Sequence, residues 1–267
     1  MGLTPELVQR IRSLPPESQQ EFAGLLAEYE KASERELCRT KFIPFVEKVW
    51  PGFISGRHHR IMAEKFEAIA NGTLKRLIIC MPPRHTKSEF GSFHLPAWFL
   101  GQFPGKKVIQ ASHTAELAVG FGRKVRNLVD TDQYKDIFPE LELRSDSKAA
   151  GRWDTSNGGS YFAIGIGGAV TGKGADLLII DDMGLRALPK HSGEYLLEVI
   201  MRRYETRSTI MTSNRPLEDW GKLLQDVPTA GAVLDRFLHH ATVFAITGES
   251  YRLKDSALAK TGGKKHA

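Results

Sequence analysis

A mostly parallel five-stranded α/β sheet flanked by helices is the fold class this sequence predicts, and three observations predict it. From Leu77 onward, short apolar runs alternate with amphipathic stretches, the pattern of strands and helices packed in layers. Leu177-Leu178-Ile179-Ile180 is apolar throughout, as a strand is when helices cover both its faces. The segment MPPRHTKSE at 81–89 follows directly on Leu77-Ile78-Ile79-Cys80, which sets a polar loop between a strand and a helix.

The elements are justified in order. Leu7, Val8, Ile11 and Leu14, then Phe22, Leu25, Leu26 and Tyr29, recur at helical spacing, with Thr4-Pro5 as a start signal and Pro15-Pro16 as a break. These helices form an N-terminal arm, 1–56, expected to act as an interaction arm or a cap. Strands follow at Leu77–Cys80, Val108–Ser112, Leu177–Asp182, Ser208–Thr212 and Thr242–Ile246. Between them lie the helical patterns Leu117, Ala118, Phe121, Val125, Leu128 and Leu196, Leu197, Ile200, Met201, Tyr204. The polar stretch 142–159 is expected to be a loop or irregular insertion. Glycine-rich 165–174 fits a plain turn, a hairpin tip, or a backbone turn near a ligand. Segments 57–182 and 183–254 together complete the sheet, and 255–267 is expected to be a disordered tail.

Composition sets bounds. With 267 residues, 41% hydrophobic and 25% charged, the chain can bury one substantial core. No apolar stretch approaches the roughly 20 residues of a membrane span, and MGLTPELVQR lacks a signal-peptide core, so a cytoplasmic protein without membrane contact is expected. Cys38 and Cys80 stand far apart, and His58-His59 and His239-His240 are adjacent pairs, which argues against a disulfide framework and against zinc. The net charge of +6 permits contact with a polyanion. Lys106-Lys107, Arg123-Lys124-Arg126, Arg202-Arg203 and Lys264-Lys265 are either parts of a phosphate-attracting face or solvated helix surfaces. Trp98, Trp153 and Trp220 suit core packing better than base stacking.

The loop carries the chemistry. Against the general phosphate-loop pattern G-x-x-x-x-G-K-[ST], Met81 and Thr86 occupy the glycine positions, and Lys87-Ser88 match in full. Backbone N–H groups of Pro83-Arg84-His85-Thr86-Lys87-Ser88-Glu89, proline's excepted, and the following helix N-terminus would face the phosphates, with Lys87 on the β/γ-phosphates and the Ser88 hydroxyl on Mg2+. Downstream, Asp181 and Asp182 close the apolar strand: Asp181 would hold the metal, usually through water, and Asp182 stands where a water-polarising base belongs. A phosphate loop after the first strand and acids after the third make the minimum core of an additional-strand P-loop NTPase.

Two resemblances divide the chain. From about Phe42 to Asp182 it resembles the ATPase domain of phage large terminase subunits. The residues that carry this are His58-His59-Arg60, LKRLIICMPPRHTKSEFGS at 74–92, PAWFLG at 96–101, KKVIQASHTAELAVGFGRKVR at 106–126 and GGSYFAIGIGGAVTGKGADLLIIDD at 158–182. That resemblance makes Arg84 a candidate γ-phosphate sensor. It also implies action on double-stranded DNA with portal and small terminase subunit as partners, without the nuclease domain. From 183 to 254 the text resembles the C-terminal part of IstB-type transposition helper ATPases. That resemblance makes Asn214 in Thr212-Ser213-Asn214 a sensor of attacking water or γ-phosphate. It also makes Arg236 a group that reaches the nucleotide of a neighbouring subunit, hence a homo-oligomeric ring or filament with a transposase as partner. Ala230, Val233, Leu234, Phe237 and Leu238 share one apolar helix face, which turns Arg236 outward.

The chain thus reads as a chimera with its junction at LLIIDD. Natural recombination, a sequence-assembly error and deliberate construction would all produce this text. The activity expected is Mg2+-dependent hydrolysis of ATP to ADP and phosphate coupled to DNA, terminase-like, with an IstB-like helper or a non-hydrolysing binding module as alternatives. A bacterial host cell is the expected setting, with a phage or mobile-element origin.

Overall fold

Leu177, Leu178, Ile179 and Ile180 are all buried, and their side chains divide between two apolar clusters. Leu177 and Ile179 join one cluster, Leu178 and Ile180 the other. Leu77 and Ile79 divide from Ile78 and Cys80 in the same way, as the two-residue period of a strand requires when both faces are covered.

The computed structural model describes residues 5–165, 174–184, 192–203, 206–220, 231, 235–239 and 241–246. Its strands are β1 (Arg76–Cys80), β2 (Lys107–Ser112), β3 (Leu143–Ala149), β4 (Arg152–Thr155), β5 (Ser160–Gly165), β6 (Leu177–Ile180), β7 (Ser208–Ser213) and β8 (Ala241–Ala245). The helices are α1 (Pro5–Arg12), α2 (Pro16–Thr40), α3 (Phe42–Val49), α4 (Arg57–Ala70), α5 (Leu95–Gln102), α6 (Ala115–Val129), α7 (Asp132–Ile137) and α8 (Ser192–Arg203). Among the described residues the strands form one sheet in the order β3-β4-β5-β2-β6-β7-β1-β8. From β5 to β8 every pairing is parallel, and β3 and β4 add an antiparallel hairpin at one edge.

The mostly parallel α/β fold is therefore as expected, and the strand count is corrected from five to eight. The 142–159 stretch is a hairpin rather than a loop. Its first strand is largely exposed, so it has no need of apolar residues. The hairpin docks on α6 at Gly122: a Cβ there would lie 2.4 Å from the Ala150 carbonyl oxygen, and the Trp153 indole donates to the Gly122 carbonyl at 3.3 Å.

Strand β7 lies between β6 and β1. Leu178 pairs with Thr209, and Thr209 in turn is level with Arg76, so the 183–254 segment supplies a strand inside the sheet built by the earlier segment. All six residues of β7 are buried.

Helix α6 buries Ala118, Phe121, Val125 and Leu128 of the predicted face, and Leu117 is half-buried at its edge. In α8, Ile200 is buried and Leu196 and Leu197 pack on the second cluster, whereas Met201 is 48% exposed and Tyr204 lies outside the described residues. The arm divides: Leu25 and Tyr29 are exposed, whereas Phe42, Phe45 and Val46 of α3 are fully buried. Phe42 meets Phe66, Phe90 and Trp98 edge-on with ring centroids 5.2–5.4 Å apart, and deleting such a ring costs about 3–5 kcal/mol. Trp98, Trp153 and Trp220 are all buried, so they serve packing. No described helix is long and apolar enough to cross a membrane. The glycine-rich 166–173 and the 255–267 tail fall outside the described residues.

Candidate active site

The loop after β1 is built without glycine where glycine is ordinary. Arg84 and Thr86 both adopt left-handed backbone, with φ of 64° and 60°, and such a conformation costs a β-branched residue on the order of 1–3 kcal/mol. The Thr86 hydroxyl has two partners that hold it. It lies 2.6 Å from His59 Nε2 and donates to the His85 carbonyl at 2.6 Å. The Thr86 carbonyl then accepts the Phe90 N–H at 2.9 Å, and the chain continues through a π-helical stretch, Glu89–His94, into α5. At the loop's other end, the Met81 N–H donates to the Ser213 carbonyl at 3.1 Å.

This turn aims Lys87 inward. Its Nζ is buried and donates to Asp182 Oδ1 at 2.7 Å and to Asn214 Oδ1 at 2.6 Å. Ser88 Oγ donates to Asp181 Oδ1 at 3.3 Å. Residues from three separate places in the sequence, at 87–88, 181–182 and 214, thus converge at the C-terminal ends of β1, β6 and β7, where open parallel sheets bind ligands.

The acids are held by a residue that sequence reading did not single out. Thr212, buried at the end of β7, donates its hydroxyl to Asp181 Oδ1 at 2.5 Å and accepts the Asp182 N–H at 3.1 Å. Asp182 itself is left-handed, with φ of 54°. Burial raises the Asp181 pKa above its ordinary value, and the Asp182 charge adds to that. Thr212, Lys87 and Ser88 oppose it.

Asp181 Oδ2 is buried without a hydrogen-bond partner. A buried carboxylate oxygen so placed, beside a serine hydroxyl, fits a hard cation that takes one or two protein oxygens and completes its shell with water and phosphate. Asp181 and Ser88 therefore suit Mg2+.

The other predicted residues separate. Arg84 and Pro83 are exposed on the loop. His85 Nδ1 lies 3.2 and 3.1 Å from the Pro82 and Pro83 carbonyls. Glu89 pairs with Lys124 of α6 at 2.8 Å, so its carboxylate serves that helix contact. Arg236 is exposed, and its carbonyl accepts from Arg76, the first residue of β1, at 3.4 Å. That places it by the strand end opposite the phosphate loop, outside its own chain's lysine cluster. Phe237 and Leu238 pack on the second apolar cluster, while Ala230, Val233 and Leu234 lie outside the described residues.

His59 is a second residue whose contact the sequence did not reveal. Its Nδ1 accepts the Gly56 N–H at 2.9 Å at the start of α4. Burial, with His58 beside it, depresses its pKa to about 4, so the ring is neutral near pH 7.

The fold is that of a P-loop NTPase of the additional-strand type, with β7 standing between loop-bearing β1 and acid-bearing β6. The solved ATPase domain of the Thermus phage P74-26 large terminase superposes with a TM-score of 0.52 at 14% identity, covering 83% of this chain and 90% of that one. The HK97 bacteriophage large terminase gives 0.53 at 14%, covering 86% and 49%. At this identity the likeness is one of fold.

More particularly, residues 171–259 match the family model described as IstB-like ATP binding protein. The ATP-binding protein of insertion sequence IS5376 from Geobacillus stearothermophilus is 48% identical over 82 residues, 31% of this chain and 33% of that protein. Its counterpart from insertion sequence IS21 of Pseudomonas aeruginosa is 42% identical over 85 residues, 32% of each. The chain thus aligns with about a third of the length of these curated relatives. The IstB-like match begins ahead of β6, so it takes in the acid-bearing strand and runs through the Asp182–Met183 position at which the two sequence resemblances were expected to meet.

Proposed function

We propose that this chain is a Mg2+-dependent ATPase that serves a DNA transaction of a mobile element, in the manner of an IstB-like transposition helper. One observation carries the hydrolytic reading: the Lys87–Asp182–Asn214 group and the Ser88–Asp181 pair are joined through the Thr212 hydroxyl into one hydrogen-bonded cluster. The IstB-like match over 171–259 favours the helper role over DNA packaging.

The geometry supports the roles given to Lys87, Ser88, Asp181 and Asp182, and the resemblances supply those of Arg84, Asn214 and Arg236. Lys87 exchanges Asp182 and Asn214 for phosphate oxygens when a triphosphate enters the loop, and this exchange frees both side chains to face the γ-phosphate. Asp182 then accepts a proton from the attacking water, and Asn214 orients that water or the γ-phosphate. Ser88 and Asp181 would hold magnesium, which would supply neutralisation of the charge that develops on the phosphate. Arg84, exposed beside the loop, stabilises the same charge. Arg236 acts on the nucleotide of a neighbouring copy, in a ring or filament. Double-stranded DNA and a transposase are the partners.

A packaging motor is the second reading. It rests on the resemblance of 42–182 to terminases, and the comparisons offer no support for portal or small terminase as partners. The differing resemblances on either side of Asp182 favour a composite origin for the chain.

Phosphate release from ATP with Mg2+ and DNA tests the proposal. Lys87→Ala is expected to lower turnover at least 100-fold. Nucleotide binding with no lysine-dependent release would establish a binding module instead. Pull-downs with a transposase, and with portal and small terminase, separate the two roles.

A further inference from the structure

We infer that His59 is the positioning residue of the phosphate loop: it holds Thr86 in the left-handed conformation that places Lys87, doing with a hydrogen bond what glycine does by lacking a side chain. The inference rests on the nucleotide-site reading above and stands on a chain of three contacts.

Each contact fixes the next. The Gly56 N–H points at His59 Nδ1 from 2.9 Å, so Nδ1 is the acceptor nitrogen and the proton of the neutral ring sits on Nε2. Nε2–H therefore donates to Thr86 Oγ1 at 2.6 Å. With its lone pair so engaged, the Thr86 hydroxyl spends its own proton on the His85 carbonyl, 2.6 Å away. Every donor has one acceptor, in one direction, from the helix start to the residue before Lys87. The arrangement clamps both the side chain and the preceding peptide of a residue whose φ of 60° a threonine rarely takes.

The ring is itself immobilised. His59 is 6% exposed and lies against Phe53 and Phe90, with centroids 4.9 and 4.8 Å away. Phe90 follows Lys87 by three residues, so the ring touches both the loop and the helix that leaves it. Nothing in this network reaches a reacting atom. The effect of His59 on a nucleotide passes through Thr86.

The test begins with the protein free of nucleotide, by nitrogen-15 NMR of the histidine rings at pH 7. His59 is expected as the Nε2–H tautomer, with its Nε2 signal shifted by Thr86→Gly. An Nδ1–H tautomer, or no response to Thr86→Gly, would overturn the inference whether or not the chain binds ATP.

ATP affinity then separates positioning from mere support of α4. His59→Gln keeps a donor within reach of Thr86, whereas His59→Asn keeps the acceptor for Gly56 and falls short of Thr86. His59→Asn is expected to weaken ATP binding about tenfold and His59→Gln much less, as loss of one buried hydrogen bond implies. The reverse order would mean that His59 serves only the helix start. In a Thr86→Gly background, where the left-handed turn needs no clamp, His59→Asn is expected to cost nothing further, and a full tenfold loss there would sink the proposal. Wild-type protein that binds no ATP, but keeps the tautomer and its response, would overturn the nucleotide reading and leave the His59–Thr86 clamp standing.

Discussion

Lys87 Nζ and Asp182 Oδ1 are 2.7 Å apart, in a pair whose lysine side chain is 4% exposed and whose aspartate is 17% exposed. A buried charge is costly unless paired, and under the proposed function this pair would join the phosphate-binding group to the water-activating one. A triphosphate that took over the lysine would release the acid, so binding and activation of the base would be one exchange.

Asp182→Asn checks this. The amide keeps the shape and cannot accept a proton, so turnover is expected to fall by about 10²–10⁴, while ATP binds as well as before or better because the lysine is held less firmly. Single-turnover kinetics beside equilibrium binding measures both, and unchanged hydrolysis would remove Asp182 as the base.

Thr212→Val tests the brace under the two acids. The substitution keeps the volume, strips Asp181 Oδ1 of a donor and leaves the Asp182 N–H without its acceptor. Each loss costs about 1–3 kcal/mol. Dependence on Mg2+ is expected to shift to concentrations about tenfold higher, read from phosphate release across a magnesium titration.

Arg236→Ala concerns assembly. With its side chain exposed and its carbonyl beside Arg76, far along β1 from the loop, Arg236 meets a phosphate only on another copy. Turnover is expected to rise with protein concentration in the parent and to stay flat and low in the variant. Equal rates at high concentration would end the ring or filament model.

Together with His59, His94 contributes to the acid limb of stability. Burial lowers its pKa to about 4 from 6.5, and it stacks on Trp50 with planes 7° apart. The folded protein therefore binds fewer protons than the unfolded chain between those values, so its contribution is whole above pH 6.5 and is lost as pH falls through 4. The loss is on the order of 3 kcal/mol. Asp181, raised by burial, works in the opposite sense upward from the ordinary carboxylate value of 3.8. Urea melts from pH 7 to 4 should show the combined slope, and His94→Gln should reduce it by His94's share, leaving that of His59.

The sequence made the central strands legible because burial on two faces leaves a continuous apolar signature, as at Leu177–Ile180, and the acids that follow stand out against it. It concealed β3 because an exposed edge strand such as Leu143–Ala149 needs no apolar residues. Strand β5 was concealed for another reason. Its Tyr161 and Ala163 alternate inward within glycine-bounded text, a period-two signal present but short. Lys87, Ser88, Asp181 and Asn214 are singled out by local pattern or resemblance, and the fold brings them together. Thr212 and His59 act across 30 and 27 residues of separation, and no local pattern records which side chains a fold will set face to face.

The placement of β7 has a bearing on inheritance. A strand lodged between two others cannot be lost without opening a seam through the middle of the molecule, where rows of unsatisfied amides and carbonyls would meet water or another chain. Any exchange of coding segments at Asp182 would thus be constrained by architecture: whatever was joined there would have to bring an inner strand with it, or the product would be sticky and short-lived.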